Sequence, residues 1–522
     1  MEKQLQDIFD YHETTKHAPH RYARSLGYMD WETQPDPFRN FKGTSLISLP
    51  LALENPTPPY HLLLENDAIP SAPLVSQSLS QLFQFSLGLA AWKSTGVDKW
   101  ALRCNASSGN LHPTEAYTIL PPLEGISGQS TVTHYAPKSH ALEILAEFDT
   151  NVWKDLPQGS FFVGLSSILW REAWKYGERA FRYCQLDVGH AWKALEVSAL
   201  MLGWQIKVMD VLDDRSLAKL FGLDQENRFY KQEKEIPELL LLVSPVRVED
   251  VNLDDLWEDL PMVYEGIVNK LSESHHDWPI LDTIHEASSK MKENVTLSTK
   301  GYLPKAASLE SKTVVLKRRS VQMMDKLQAR MTYESFIALL QSVIVEEENF
   351  ASVHLVLFVH AVQDLKQGIY ILLRKKSDKE LLQTQMKKSF LWKVIDEKLG
   401  VYLLEEADMQ QTAKGFSCSQ DIASDSSFSL GMLSHFSQEI VEFGPKRYKE
   451  LYWECGAIGQ QLYLEATSLN LSATGIGCFL DDTVHKILGL QDNRFQILYH
   501  FTIGRGLIDN RLLTLEPYHH LD

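Results

Sequence analysis

The chain has 522 residues, of which 44% are hydrophobic and 23% charged, and a formal net charge of −17. This length exceeds a single core and calls for roughly two to four domains of ordinary globular composition. The acidic excess argues against nucleic acid as a partner, because proteins that bind a phosphate backbone present a basic face.

The first ten residues, Met1 to Asp10, contain no apolar core followed by small residues. No later window approaches the ~18 uncharged apolar residues of a membrane span, so the expectation is a cytoplasmic protein without a membrane segment. Cys104, Cys184, Cys418, Cys455 and Cys478 are odd in number, scattered, and form no C-x-x-C pair. They are expected to be reduced structural thiols rather than a disulfide frame or a zinc site. The His275-His276 and His519-His520 pairs lack a second ligand set, so no metal is expected. Asn294-Val295-Thr296 is a formal sequon, read as chance.

Leu102 to Tyr117 reads L-R-C-N-A-S-S-G-N-L-H-P-T-E-A-Y. Two hydroxyls, a glycine and an amide before a proline-stopped turn make a compact hydrogen-bonding loop, and Gly109 lets a planar ligand approach the backbone. An ordinary polar turn before a strand accounts for the same residues. Strand signals follow at Glu115–Leu120 and Thr131–Tyr135, joined by the loop Gly125–Gln129. Asp187–Leu202 is a helix-like run with few charges, and Ile236–Val243 is an apolar strand. The stretch 251–309 is read as a helical connector with a loose end around Ser308. Beyond it, strand signals recur at His354–Val362 and Gly368–Arg374. Lys375–Ser426 reads as loop plus short helix, Gly456–Leu471 as a second apolar helix, and Phe495–Gly504 as a closing strand.

The chain repeats itself. Leu212-Asp213-Asp214, Lys219 to Leu223 and Asn227-Arg228-Phe229 recur as Leu480-Asp481-Asp482, Lys486 to Leu490 and Asn493-Arg494-Phe495, at offsets of 268, 267 and 266 (481 − 213, 489 − 222, 494 − 228). A helix apolar nearly all round is buried, so each copy is expected to supply a central core helix. Strands interleaved with helices in both copies give an α+β three-layer unit used twice.

The segment S-S-G-N-L-H-P-T-E is similar to the P-S-G-G-x-L-Y-P-x-E segment of the SagB-type branch of the nitroreductase family, which lies against FMN. Arg182 to His190 resembles that family's R-Y-x-x-x-D-x-G-H helix start, and the second copy matches through Arg318-Arg319-Ser320, Gly475-Ile476-Gly477 and Gly504-Arg505. The resemblance implies two tandem nitroreductase-like three-layer domains, 1–250 and 310–522, that reproduce the family's homodimer as an intrachain pseudo-dimer. Further oligomerisation stays open.

It also implies one composite FMN site. Arg318, Arg319, Ser320, Gly504 and Arg505 of the second half would hold the phosphate. Ser107, Ser108, Gly109 and Asn110 of the first half would face the flavin ring, and Gly475 and Gly477 would leave room for it. The mirror-image set is incomplete: the first half closes on Leu242-Val243-Ser244-Pro245 without glycine-arginine, Trp204 to Lys207 replace the glycines, and 336–354 lacks the serine-glycine-asparagine loop. Without the resemblance, Arg318-Arg319 would read as a solvated basic turn.

His112 is a candidate acid or base, or a histidine packed in a turn, and His190 reads as a core histidine. The activity implied is that of an FMN-dependent oxidoreductase, a SagB-type dehydrogenase or oxidase on a small molecule or modified peptide, with oxygen or NAD(P)H as redox partner. A nitro or quinone reductase and a non-catalytic scaffold of a peptide-modifying complex are the alternatives. No G-x-G-x-x-G after a strand, Walker sequence, G-x-S-x-G or H-E-x-x-H is present.

Overall fold

The computed structural model describes the chain apart from residues 66–67, 210–211, 290–291, 293–294, 299–300, 302–308 and 522. The expected loose end at Ser308 and the sequon residue Asn294 lie outside the described residues.

Two seven-stranded antiparallel sheets carry the fold. The first runs, in spatial order, Ser45–Ser48, Ala141–Phe148, Ser130–Ala136, Thr114–Leu120, Phe161–Ile168, Glu235–Ser244, Gln205–Val208. The second runs Lys393–Asp396, Val401–Glu406, Gly368–Leu372, Val353–Val359, Phe428–His435, Phe495–Gly504, Ser472–Ile476. The order is the same in both halves, with one difference of chain path. The outer edge strand of the first sheet precedes the rest of its sheet in sequence, whereas that of the second sits between two of its neighbours. Lys375–Ser426, expected as loop and short helix, therefore contains two strands, Lys393–Asp396 and Val401–Glu406. The charges of Lys393, Asp396, Glu405 and Glu406 mask their alternation.

Each sheet is covered on both faces, because successive strand residues point to opposite sides. Leu239, Leu241 and Val243 pack with Val188, Trp192 and Leu195, while Leu240 and Leu242 pack with Leu217, Leu220 and Phe221. In the second half Leu355 and Leu357 face Leu451 and Leu462, and Val356 and Phe358 face Val484 and Leu488. Both halves are three-layer α+β units.

The two central helices, Ala180–Leu200 and Arg447–Ser468, are buried along nearly their whole length and pack on each other. Each begins two turns or more before the apolar run legible in the sequence. Their crossing is set by Gly189 and Gly456, 267 positions apart (456 − 189). A Cβ on Gly189 would stand 2.1 Å from the Trp453 carbonyl oxygen, and one on Gly456 2.1 Å from that of Leu186. Only glycine permits this approach.

The duplication also registers at 267 in the flanking helices Asp214–Phe221 and Asp481–Leu488, which end at the left-handed Gly222 and Gly489. The structural counterpart of Asp481 is therefore Asp214. Asp213 caps the first helix, accepting from Ser216 N at 2.8 Å. Each helix-starting aspartate meets a base on the other half's central helix: Arg182 Nη1 lies 2.9 Å from Asp481 Oδ1 and Lys449 Nζ 2.9 Å from Asp214 Oδ2. These pairs occupy equivalent places (449 − 182 and 481 − 214 are both 267), so the association of the halves has approximate two-fold symmetry.

The termini embrace the opposite halves. The helix Glu2–Thr14 lies against the second half, where His12 Nε2 and Gln496 Oε1 are 3.1 Å apart. The strand Leu513–Leu515 joins the first-half hairpin Leu89–Ser94 and Lys99–Arg103, and Trp92 Nε1 donates to the Pro517 carbonyl at 2.9 Å. Within 251–309 the described helices are Asp254–Glu258 and Pro279–Ser288, and Ile267–Val268 pairs with Phe41–Lys42. Leu253, Leu256, Tyr264 and Val268 share a core with the first sheet. Among the described residues no helix is long and apolar enough to cross a membrane.

Candidate functional site

The S-S-G-N loop leaves the strand Lys99–Arg103 and turns at Ser108–Asn110, with Gly109 at φ +59°, Asn110 at +59° and His112 at +50°. The turn is pinned from the first central helix. Asp187 accepts from Ser107 Oγ at 2.6 Å, Ser108 N at 3.0 Å and Ser108 Oγ at 2.9 Å. Burial pushes the Asp187 carboxyl up to about 7, against the lowering effect of these donors. A buried group poised near neutrality, inside a cluster of polar side chains, is characteristic of functional sites. Asp187 belongs to the R-Y-x-x-x-D-x-G-H stretch, which is the signal that could have singled it out.

His112 is buried; its ring lies 3.0 Å from Asn110 Oδ1 and its N–H donates to Ser107 Oγ at 2.9 Å. Burial, and then Arg103 and Arg171, hold its pKa well below the usual histidine range.

The second half meets this loop through Arg318, which follows the helix Ser311–Lys317. Its Nε donates to the Cys104 carbonyl at 2.8 Å and its Nη2 to that of Arg103 at 3.0 Å. Its guanidinium lies 5.2 Å from the centre of the Tyr463 ring. Arg319 donates to the Leu316 and Arg318 carbonyls at 2.7 and 2.6 Å, and burial draws its pKa down to about 10. Tyr463 then ties the next two sequence candidates together: its hydroxyl is 2.8 Å from Ser320 Oγ and accepts from Gly475 N at 2.7 Å.

The space beside Gly475 and Gly477 is taken by aromatic side chains. A Cβ on Gly475 would meet Tyr499 Oη at 1.8 Å, and one on Gly477 would meet Tyr183 Cε1 at 2.4 Å. Tyr183 donates to the Gly477 carbonyl at 3.1 Å, and Tyr499 Oη lies 3.2 Å from His190 Nε2. His190 is a buried core histidine in this arrangement, its pKa lowered to about 3 by burial first and Arg318 second. Gly504 is buried at the end of its strand; Arg505 is exposed and its carbonyl accepts from Asp325 N at 2.7 Å.

Loop and arginine turn thus meet along the seam between the halves, with Tyr463 against Arg318 and Ser320 and with Tyr499 and Tyr183 against Gly475 and Gly477. The donor set fits an anionic, aromatic group. The buried Arg318 Nη1 has no acceptor, and Ser320 and Arg505 are exposed on the adjoining edge.

The pseudo-symmetric position is built differently. There a cavity of about 540 Å³ is lined from the first half by Gln205 to Met209 and Arg247 to Val251, and from the second by Glu346, Glu347 and Phe350. Gln205–Val208 corresponds to Ser472–Ile476 in sheet order, and at the same offset of 267 (472 − 205) Gln205, Ile206, Lys207 and Val208 stand where the second half has Ser472, Ala473, Thr474 and Gly475. Glu346 and Glu347 precede the strand Val353–Val359 as Ser107 to Asn110 precede Thr114–Leu120. Carboxylates thus stand where the composite site has serine hydroxyls and an amide, in a lining that also holds Lys207 and Arg247.

The sequence model of the Nitroreductase family matches residues 370–505, which include Gly475, Gly477, Gly504 and Arg505. No curated protein matches the chain. Among solved structures, that of a putative nitroreductase from Anabaena variabilis superposes with a TM-score of 0.71 at 21% identity, over 96% of this chain and 99% of its own. The fold is that of a nitroreductase. Because both chains are covered almost end to end, the tandem arrangement itself is shared.

A putative nitroreductase from Ralstonia eutropha aligns with 43% of this chain and 98% of its own at 16% identity, with a TM-score of 0.30. The E. coli microcin synthetase McbBCD complex with truncated pro-MccB17 aligns over 48% and 95%, at 18% identity and a TM-score of 0.28.

Proposed function

We propose that this chain is an FMN-dependent oxidoreductase holding one FMN between its two nitroreductase-like halves. The observation that carries the proposal is the Arg318 clamp on the Arg103 and Cys104 carbonyls, which sets the arginine turn of one half against the Ser107–Asn110 loop of the other. Arg318, Arg319, Ser320 and Arg505 supply the cationic and hydroxyl groups that bind a phosphate, since charge-assisted bonds to such oxygens are about twice as strong as neutral ones. Ser107, Ser108, Gly109 and Asn110 form the polar edge offered to the ring system, and Gly475 and Gly477 seat the tyrosines of the opposite wall. The flavin, when bound, supplies hydride transfer, which the protein orients and tunes.

Asp187 holds the loop rigid through three hydrogen bonds and can keep or release a proton near neutral pH. The S-S-G-N-L-H-P-T-E segment supports a SagB-type dehydrogenase or oxidase acting on a small molecule or modified peptide. The loss of the serine-glycine-asparagine loop and the larger side chains at the mirror position support a single site per chain.

The test is quantitation of FMN released by denaturing the purified full-length protein after saturation with FMN and removal of the excess. About one FMN per chain is expected. No retained flavin would overturn the assignment, and two per chain would overturn the single composite site.

A further inference from the structure

Two of the five cysteines are not isolated structural thiols. Cys104, Cys184 and Cys455 are buried, whereas Cys418 and Cys478 are both partly exposed and lie on adjoining segments. Their segments are stitched together by backbone and side-chain bonds: Leu480 N donates to the Phe416 carbonyl at 2.7 Å, and Gln420 Nε2 donates to the carbonyls of Ser417 at 2.9 Å and Cys478 at 3.2 Å. Cys418 and Ser419 both hold left-handed backbone, φ +53° and +62°. Non-glycine residues take up that conformation only when the surroundings impose it, and such positions cluster at functional sites.

Around the two thiols stand His17 and Tyr22, their rings 4.8 Å apart. The Cys418 thiol interacts with Cys478 and with the Tyr22 hydroxyl, and the Cys478 thiol also with the His17 side chain. His17 Nδ1 accepts from Ala23 N at 3.0 Å, which leaves the ring proton on Nε2. Arg179, paired with Asp481, adds positive charge nearby. The Cys418 hydrogen bond first, with His17 and Arg179 acting the same way, lowers the Cys478 thiol to about 5 although burial opposes this. The Cys418 thiol moves in the opposite direction. An accessible thiolate beside a second thiol is the arrangement that thiol–disulfide exchange requires.

We propose that Cys478 and Cys418 form a redox-active dithiol, with Cys478 the attacking and Cys418 the resolving thiol, that closes to a disulfide by exchange with low-molecular-weight disulfides. The Cys478 thiolate attacks one sulfur of the small disulfide, forming a mixed disulfide and releasing one small thiolate. The Cys418 thiol loses its proton and attacks the Cys478 sulfur, releasing the second. The two protein thiols are oxidised, the small disulfide is reduced to two thiols, and no further oxidant enters. Closure would tie the 416–420 segment to the residue after Gly477, whose carbonyl receives the Tyr183 hydroxyl, so the thiol state bears on one wall of the composite site. The exchange itself needs no flavin.

The full-length protein, reduced and then equilibrated with oxidised glutathione, is denatured, alkylated and mapped by mass spectrometry. The expected result is loss of two of its five thiols, one cross-linked peptide pair joining Cys418 to Cys478, and reversal by dithiothreitol. In Cys418→Ser the glutathione adduct should accumulate on Cys478. In Cys478→Ser the adduct on Cys418 should form at least about tenfold more slowly, as a thiol of ordinary or raised pKa reacts through a small thiolate fraction. Iodoacetamide at pH 6.5 should label Cys478 of the unaltered protein ahead of the other four, and His17→Gln should slow that labelling. Five free thiols after equilibration, a stable glutathione adduct on Cys478 with Cys418 intact, or equal labelling of Cys418 and Cys478 would each overturn the proposal.

Discussion

Gly189 and Gly456 face each other where the two central helices cross, each standing where a side chain on the other would have to go. An ideal Cβ on either glycine would come within 2.9 Å of the other's Cα and 2.1 Å of a carbonyl oxygen. The obstacle is backbone on both sides, so no rotamer change relieves it. Gly456→Ala is expected to push the helices apart and cost about 1–3 kcal/mol or more, the range for overpacking a tight core. Urea unfolding followed by tryptophan fluorescence checks this. A fully stable variant would show that the crossing is loose.

The paired bases Arg182 and Lys449 make the same seam sensitive to charge. Lys449 is buried against Asp214 and Glu238, at 2.9 and 3.3 Å. Lys449→Met keeps the volume and leaves two buried carboxylates without their cation, for which a loss of about 3–5 kcal/mol is the ordinary expectation. Adding Asp214→Asn and Glu238→Gln to that variant should restore part of the loss. Equal stability of the single and triple variants would show that the charges do not interact.

Stability should fall on both sides of neutrality. Burial pushes His12 well below its ordinary 6.5 and His190 and His500 to about 3. Each such group contributes stability that is full above about 6.5 and is lost as pH falls below it, because the unfolded chain then binds protons that the folded one refuses. His134 behaves in the opposite sense. Burial would lower it, but its bonds to Glu115 and Glu143 raise it to about 9, so its contribution is present below 6.5 and lost as pH rises through 9. In His134→Gln the alkaline loss should shrink while the acid loss remains. Thermal melts from pH 4.5 to 9.5 decide the matter.

Much of this fold was legible because the repeat is visible in the residues themselves, and an apolar helix repeated in both copies has to be buried somewhere common to both. The start of the first of those helices was legible through the resemblance of Arg182 to His190, whereas the first turns of the second, and the burial of the charged residues in both, were not. Arg182, Lys449, Glu450 and Glu454 look like surface residues, and they are buried only because partners such as Asp481, Asp214 and Arg374 approach from elsewhere.

The strands within Lys375–Ser426 were hidden for a related reason, since an edge strand carries charges on its open side. At the site, the sequence paired Arg318 with the Ser107–Asn110 loop through resemblance. What it could not show is how these groups are engaged: Asp187 holds both serine hydroxyls, two backbone carbonyls hold Arg318, and tyrosines stand over Gly475 and Gly477. Hydrogen-bond partners contributed by distant segments leave no local pattern.

Asp187 gives the proposed site a positioning residue that can be tested apart from the phosphate. Asp187→Ala removes the acceptor for Ser107 Oγ, Ser108 N and Ser108 Oγ. Bonds to a charged group contribute about 1.5–3 kcal/mol each. The loop should loosen, and FMN and riboflavin should lose affinity together, because the defect lies on the ring side. Equilibrium titration by flavin fluorescence measures both. A loss confined to FMN would place Asp187 on the phosphate side instead.

Arg505 provides the complementary case. It is exposed at the end of the strand Phe495–Gly504, and its backbone carbonyl, not its side chain, accepts from Asp325 N. Arg505→Ala therefore leaves the core and that backbone bond in place, and its melting temperature should stay close to that of the unaltered protein. If the guanidinium binds the flavin phosphate, FMN affinity should fall by about 1.5–3 kcal/mol, roughly ten- to a hundredfold. Riboflavin, which lacks the phosphate, should bind the variant and the unaltered protein alike. Equal losses for FMN and riboflavin would mean that Arg505 acts through the shape of the strand end, and unchanged affinity for both would leave phosphate binding to Arg318, Arg319 and Ser320.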